Sequence, residues 1–251
     1  MEKQQSDKQL KDSTDRTIGE IVADDYRTAR VFEDHGIDFC CGGKIALSEI
    51  CRDKGIELAV IERELAAVKA ASLDRSLNYS AWELAFLVDF IVNTHHAYLH
   101  ENMGQIAGYA RKIAEVHGSN HPEVQQIAEI FSKMVTDLKD HLQYEEEVFF
   151  PSIKRCDAAG KSHAVPDAID FETIRAGLEK LQQEHEEVGD AIHRIRHLAK
   201  DYEIPGDACN TFMLTYQKLE EFEDDLHKHV HLENNILFPK AAQLFSNERT
   251  M

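Results

Sequence analysis

Two segments of this 251-residue sequence repeat a residue pattern able to bind metal. Residues 141–151, HLQYEEEVFFP, and 229–239, HVHLENNILFP, both read His, three residues, Glu, two residues, Val or Ile, an apolar residue, Phe, Pro. Their offset is 229 − 141 = 88. A His and a Glu four positions apart on a helix lie one turn apart on the same face, so both can reach one metal centre. The repeat extends upstream. Leu138, Met134 and Phe131 stand 3, 7 and 10 residues before His141, and Leu226, Phe222 and Leu219 hold the same places before His229. Each His and Glu therefore interrupts an apolar stripe that must face a helical core.

Two further helices carry one histidine each in such a stripe. His185 lies among Leu181, Val188, Ile192 and Ile195; at an offset of 89, Val92, Leu99, Met103 and Ile106 surround His96. His95 does not fit, because its equivalents of Val188 and Ile192 are the polar-capable Tyr98 and Asn102. The halves are evenly spaced, with 141 − 96 = 45 and 229 − 185 = 44. A duplicated helical hairpin is expected, each half giving two histidines and one glutamate. The six candidate ligands are His96, His141, Glu145, His185, His229 and Glu233. Such a set predicts two metals, each with two histidines, bridged by both carboxylates. Imidazole and carboxylate without thiolate favour iron or manganese over structural zinc.

The elements that must position these residues are helices. Proline and glycine are sparse and strand-like alternation is nearly absent, so the expected fold class is all-α. Residues 1–15 read as a disordered N-terminus. Residues 16–72 read as a small helical N-terminal domain, opened by a capping box at Thr17-Ile-Gly-Glu20, with helices near 25–35, 44–53 and 56–70. Residues 71–79 read as a linker. Residues 80–247 read as an up-down four-helix bundle. A capping box at Ser80-Ala-Trp-Glu83 is expected to start its first helix, which runs to about 115. The others are expected near 122–155, broken at Pro151, then 168–200 after a loop of about a dozen residues, and 208–245.

Composition narrows the class of function. Charged residues give a formal net charge of −18, which argues against a nucleic-acid partner. No apolar run approaches the roughly 20 residues that span a bilayer, and the polar N-terminus lacks the apolar centre of a signal peptide. These features predict a cytoplasmic protein with no membrane partner. Five cysteines, with no CxxC pair, fit a reducing compartment better than a disulfide framework.

The bundle resembles hemerythrin-like di-iron proteins. More narrowly, the paired HxxxE segments with their Phe-Pro, together with Gly36-Ile-Asp-Phe-Cys-Cys-Gly-Gly43, resemble the iron–sulfur cluster repair (repair-of-iron-centres) family. That family joins a small domain bearing a Cys-Cys-Gly-Gly motif to a hemerythrin-like domain, and the resemblance covers about residues 16–245. It implies a cofactor of two non-haem iron ions in a carboxylate-bridged di-iron centre. It also implies repair of iron–sulfur clusters damaged by nitric oxide or peroxide, with damaged iron–sulfur proteins as partners and iron donation as the means. Two rival functions share these ligands: a di-iron peroxidase or nitric oxide reductase, and a hemerythrin-like sensor of oxygen or nitric oxide. A small domain on a linker leaves a homodimer open.

Cys40 and Cys41 admit two readings. Adjacent cysteines form a disulfide only with strained geometry, so reversible contact with iron, haem or a partner thiol is easier to accommodate. The alternative is two small buried residues at a helix junction. The resemblance favours a functional thiol pair. Cys51, Cys156 and Cys209 read as packing residues. His227 and His231 point about 160° away from His229 and read as solvent-facing, as do His117, His121 and His163 in turns. His100, His193 and His197 read as surface positions or as groups behind the ligands. Glu184 and Asp137 lie near ligands, where they line an access path or simply belong to an acidic face.

Overall fold

The computed structural model describes residues 16–70, 78–162 and 164–246, and among the described residues there are helices and turns but no β-strand. The N-terminal stretch 1–15, residues 71–77 of the expected linker and His163 lie outside the described residues. The chain divides into two compact units. One runs as far as Glu83 and takes in Val230–Pro239; the other comprises Leu84–His229 and the residues from Lys240.

The first unit is a set of short helices. Helix α1 (Ile18–Asp24) starts at the expected capping box: the Glu20 N–H donates to Thr17 Oγ1 at 3.2 Å, and the Thr17 N–H donates to Glu20 Oε2 at 2.9 Å. A 3₁₀ turn (Tyr26–Thr28), α2 (Ala29–Asp34), α3 (Leu47–Lys54) and α4 (Leu58–Lys69) follow. Ile18, Ile21, Phe32, Phe39, Leu47 and Ile61 are buried at the centre. Helix α3 begins later than its periodicity suggested. The Gly42-Gly43 turn is held in place by the Gly19 N–H, which donates to the Gly43 carbonyl at 2.8 Å, and residues 43–46 are spent in that turn.

The Ser80 capping box does not form. Tyr79–Ala81 makes a 3₁₀ turn, Trp82 is extended, and the Ser80 hydroxyl donates to Asn78 Oδ1 at 3.0 Å. The buried Tyr79 ring packs edge-on to Trp82, with centroids 4.9 Å apart. Burial of these aromatics outweighs a cap bond worth about 1 kcal/mol. The long helix therefore starts at Leu84.

From Leu84 onward the chain forms an up-down four-helix bundle. Its first helix consists of α5 (Leu84–Ile91), a π-turn (Val92–His96) and α6 (Ala97–His117). The second consists of α7 (Glu123–Tyr144), a π-turn (Glu145–Phe149) and α8 (Phe150–Lys161). The third is the single helix α9 (Ala168–Leu198), capped by Asp167, whose side chain accepts the Ile169 N–H. The fourth consists of α10 (Asn210–Leu232), a π-turn (Glu233–Leu237) and α11 (Phe238–Ser246). Helix two continues through Pro151 instead of breaking there, which shortens the following loop. None of the described helices is long and apolar enough to cross a membrane.

The apolar stripes pack as their spacing requires. Leu99, Met103, Ile106, Phe131, Met134, Leu138, Leu181, Ile192, Ile195, Leu219, Phe222 and Leu226 are all buried. The rings of Phe131 and Phe222, one from each half of the repeat, meet edge to face at 5.2 Å. At one end of the bundle, Lys200, Asp201 and Tyr202 all adopt left-handed φ values of 51°, 55° and 60°. Arg196 Nε (2.8 Å) and the Tyr202 hydroxyl (2.6 Å) both donate to the buried carboxylate of Glu223, so this strained turn ties helix three to helix four.

Candidate metal centre

Three of the four bundle helices widen by one residue at a candidate ligand. The Ala97 N–H reaches back five residues to the Val92 carbonyl, Phe150 N–H to Glu145, and Phe238 N–H to Glu233. His96 closes the first π-turn, and Glu145 and Glu233 open the other two. The duplicated Phe-Pro supplies a local cause. Pro151 and Pro239 have no N–H, so the ordinary bond to the residue four back is lost and the turn can widen. In the first helix the Asn93 side chain donates to the Asp89 carbonyl at 2.7 Å and so satisfies a carbonyl beside the π-turn. Isolated π-turns often occur at functional sites, because the extra residue re-aims a side chain inward.

The six candidate ligands are buried, with relative exposures between 0% and 4%. They fall into two groups whose ligand atoms lie within 4.8 Å of one another: His96, Glu145, His229 and Glu233, and His141, Glu145, His185 and Glu233. Glu145 and Glu233 belong to both. In the first group, His96 Nε2 faces His229 Nε2 at 3.2 Å; in the second, His141 Nε2 faces His185 Nε2 at the same distance. Glu145 Oε2 lies 3.2 Å from His141 Nε2 and 3.4 Å from His96 Nε2.

Carboxylates behind the rings set which nitrogen carries the proton. His96 Nδ1 is 2.9 Å from Glu146 Oε1, and His141 Nδ1 is 2.8 Å from Glu184 Oε2. An ionised carboxylate can only accept, so in a neutral ring Nδ1 bears the hydrogen and the Nε2 lone pair points into the cluster. The His141 ring, helped by Lys180, holds the Glu184 carboxyl down at about 2. The His96 ring, helped by His100, lowers Glu146 in the same way. His100 Nε2 lies 3.2 Å from Glu146 Oε1, so His100 is an exposed group two bonds behind a ligand. Glu184 and Asp137 both line one open cavity of about 520 Å³ beside His141.

These residues fit a cation. Neither oxygen of the fully buried Glu145 accepts a hydrogen bond. A buried carboxylate without a proton donor is costly, and the Nε2 atoms of His96 and His141, each facing a second imidazole nitrogen at 3.2 Å, offer lone pairs to the cluster. A metal ion in each group would resolve both features.

Several histidines differ from their sequence reading. His95 is also buried, with Nδ1 2.9 Å from Asp225, but it belongs to neither group. His231 is wholly buried rather than solvent-facing. Its ring lies 5.7 Å from the rings of Tyr26 and Phe39 and its Nδ1 is 3.1 Å from Asn235 Nδ2; burial pushes its pKa down to about 3. Helical angle alone hid this, because the fourth helix is covered on that side too. His227 is only 14% exposed. His117 and His121 are half-buried in their turn, while His193 and His197 are exposed. Cys51 and Cys156 are buried as expected, but Cys209 is exposed beside His117, 3.2 Å away, and the N–H groups of Phe212 and Thr211 with His117 bring its thiol down to about 7.

Cys40 and Cys41 occupy a tight turn in the first unit, with their sulfurs 3.9 Å apart and no disulfide between them. Asp38 Oδ1 accepts the Cys40 N–H (2.9 Å), the Cys41 N–H (3.0 Å) and the Cys40 thiol (3.0 Å); Oδ2 accepts the Gly42 N–H (3.1 Å). Asn235 Nδ2 donates to the Phe39 carbonyl at 3.2 Å and lies 3.4 Å from that of Cys40. Asn235 thus connects the turn to the segment that begins with Glu233. Spacing gave no sign of its role.

A bundle that converges four imidazoles and two shared carboxylates on two adjoining positions defines a cation-binding bundle of the hemerythrin class. The family described as hemerythrin HHE cation binding domain matches residues 88–241, and a domain of unknown function (DUF542) matches residues 14–69. The iron–sulfur cluster repair protein YtfE of Cronobacter sakazakii is 31% identical over 227 residues, covering 90% of this chain and 96% of that protein. The iron–sulfur cluster repair protein ScdA of Staphylococcus epidermidis is 29% identical over 226 residues, covering 90% and 97%. YtfE of Salmonella typhimurium is 28% identical over a similar span. The chain belongs to the family of iron–sulfur cluster repair proteins.

Proposed function

We propose that this protein repairs iron–sulfur clusters damaged by nitrosative or oxidative stress, and that it does so by donating iron. The observation that carries the reading is that Glu145 and Glu233 each belong to both ligand groups. A carboxylate that belongs to both groups could serve a cation in each, so the site reads as a di-iron centre in which His96 and His229 would hold one ion and His141 and His185 the other. Two non-haem irons held by these residues would supply redox capacity and exchangeable ferrous ion.

The residues of the chain do the rest. Glu146 and Glu184 orient His96 and His141 and keep their Nε2 atoms basic. Glu145 and Glu233 tolerate changes in metal charge and, as the anionic ligands, are the bonds to be loosened when iron leaves as cargo. Cys40 and Cys41 mediate docking or transfer to damaged iron–sulfur proteins, which are the partners of the reaction.

The test combines metal analysis with repair. The purified chain should hold two irons, with the Mössbauer spectrum of a coupled pair. It should restore an iron–sulfur enzyme inactivated by nitric oxide, at a stoichiometry matched by its own iron loss. Full repair without iron loss would reject donation in favour of catalytic turnover.

A further inference from the structure

Outside the bundle site, one other cluster has metal-ligand chemistry: Asp38, Cys40 and Cys41, whose ligand atoms also lie within 4.8 Å of one another. We propose that these three residues form a second, mononuclear site for a thiophilic divalent cation, with an open fourth position.

The geometry is close to that of a ligated ion before the ion arrives. A tetrahedral ion with metal–sulfur bonds of about 2.3 Å separates two sulfurs by about 3.8 Å; here they are 3.9 Å apart. The Cys40 thiol donates to Asp38 Oδ1 at 3.0 Å, and this edge must open to about 3.6 Å for typical metal–sulfur and metal–oxygen lengths. The cation takes the place of the thiol proton that now lies between sulfur and carboxylate. Binding releases two protons to solvent, one from each thiol, and leaves a site with three anionic donors, one dication and a net charge of −1.

The surroundings support that exchange. Three backbone N–H groups, from Cys40, Cys41 and Gly42, hold the Asp38 carboxylate in place and offset negative charge. Gly43 packs so closely on Asn235 and Gly19 that a Cβ there would collide, which fixes the far side of the turn. Without a cation, neighbouring Cys41, burial and Asp38 keep the Cys40 thiol well above the usual range, so Cys40 stays protonated. A metal ion supplies the positive charge that lets it ionise. Cys40 is buried, but Cys41 and Asp38 are half-exposed, so solvent reaches the edge of the cluster. Three protein ligands with one open position make an exchangeable site rather than a structural one. That the cation in the cell is ferrous iron in transit rests on the donation reading above; the site itself does not.

The test adds Co2+ to the iron-loaded full chain and follows thiolate-to-cobalt charge transfer in the near ultraviolet, which imidazole and carboxylate ligands cannot produce. The expected result is a band that saturates at one Co2+ per chain. It should vanish in Cys41→Ser, persist in Cys209→Ser, and weaken by at least about tenfold in affinity in Asp38→Asn. Absence of the band would overturn the site, as would its survival in Cys41→Ser or an unchanged affinity in Asp38→Asn. Should Asp38→Asn unfold the turn, the half-exposed and near-isosteric Cys41→Ser decides alone. An intact cobalt band in a protein that repairs without losing iron would reject the donation reading and leave the site standing.

Discussion

Glu184 accepts the Nδ1 hydrogen of His141 at 2.8 Å, on the opposite side of the ring from His185 Nε2. One surface carboxylate on helix three thus sets the tautomer of a buried ligand on helix two. In Glu184→Ala that acceptor is lost and the ring is free to rotate or change tautomer. Affinity for metal in the bundle should fall by about ten- to a hundredfold, as when other carboxylate partners of ligand histidines are removed. Competition with a chelator measures it, and an unchanged affinity would show that Glu184 only decorates an acidic face.

Glu145 is wholly buried and its oxygens lack hydrogen bonds. In Glu145→Leu the metal-free bundle should therefore melt at the same temperature as the parent or higher, since a buried, unsatisfied carboxylate is gone. The rise in melting temperature on iron loading should shrink sharply, together with the iron content per chain. Calorimetry of both forms decides the matter. A full metal-induced rise in the variant would sink the bridging role of Glu145.

Gly177 lies where helix three passes the Phe149 ring, and a Cβ there would stand inside contact distance of Phe149 Cδ2. Phe149 is the last residue of the π-turn that starts at Glu145. Gly177→Ala should destabilise the protein by about 1–3 kcal/mol through overpacking and shift Glu145 with it. A drop in both the urea midpoint and iron affinity is expected. Loss of stability with iron binding untouched would separate the π-turn from the site.

His121 sits between Glu123 (2.9 Å from Nδ1) and Asp207 (3.0 Å from Nε2), joining the turn after helix one to the start of helix four. Both carboxylates raise its pKa, Glu123 most. A raised folded-state pKa means the stabilisation is fully present below the ordinary histidine value of about 6.5 and is lost as pH rises through the raised value. His121→Asn should therefore lower the urea midpoint relative to the parent at pH near 6 and much less near pH 9. Equal losses at both pH values would mean the ring contributes by packing rather than by charge.

Which residues converge in the bundle was legible in the sequence because duplication writes the same constraint twice. Apolar residues at helical spacing around a His and a Glu leave one face for both groups, and the second copy separates that arrangement from a chance ion pair. The same comparison pairs His96 with His185 and leaves out His95; in the fold His96 falls in a ligand group, and His95 turns to Asp225. The Thr17 capping box was equally readable, since it depends on four consecutive residues.

Other features needed the tertiary structure, because they depend on what a second segment places opposite. Pro151 looked like a break, yet the helix absorbs its missing N–H as a π-turn that aims Glu145 inward. His231 looked exposed by helical angle until Tyr26 and Phe39 covered it. Ser80 lost its cap to aromatic burial, and Asn235 reaches the carbonyls of a turn nearly two hundred positions earlier. Local spacing determines which residues share a helix face; only packing decides what that face meets, and hence which polar groups are buried, paired or left for a metal.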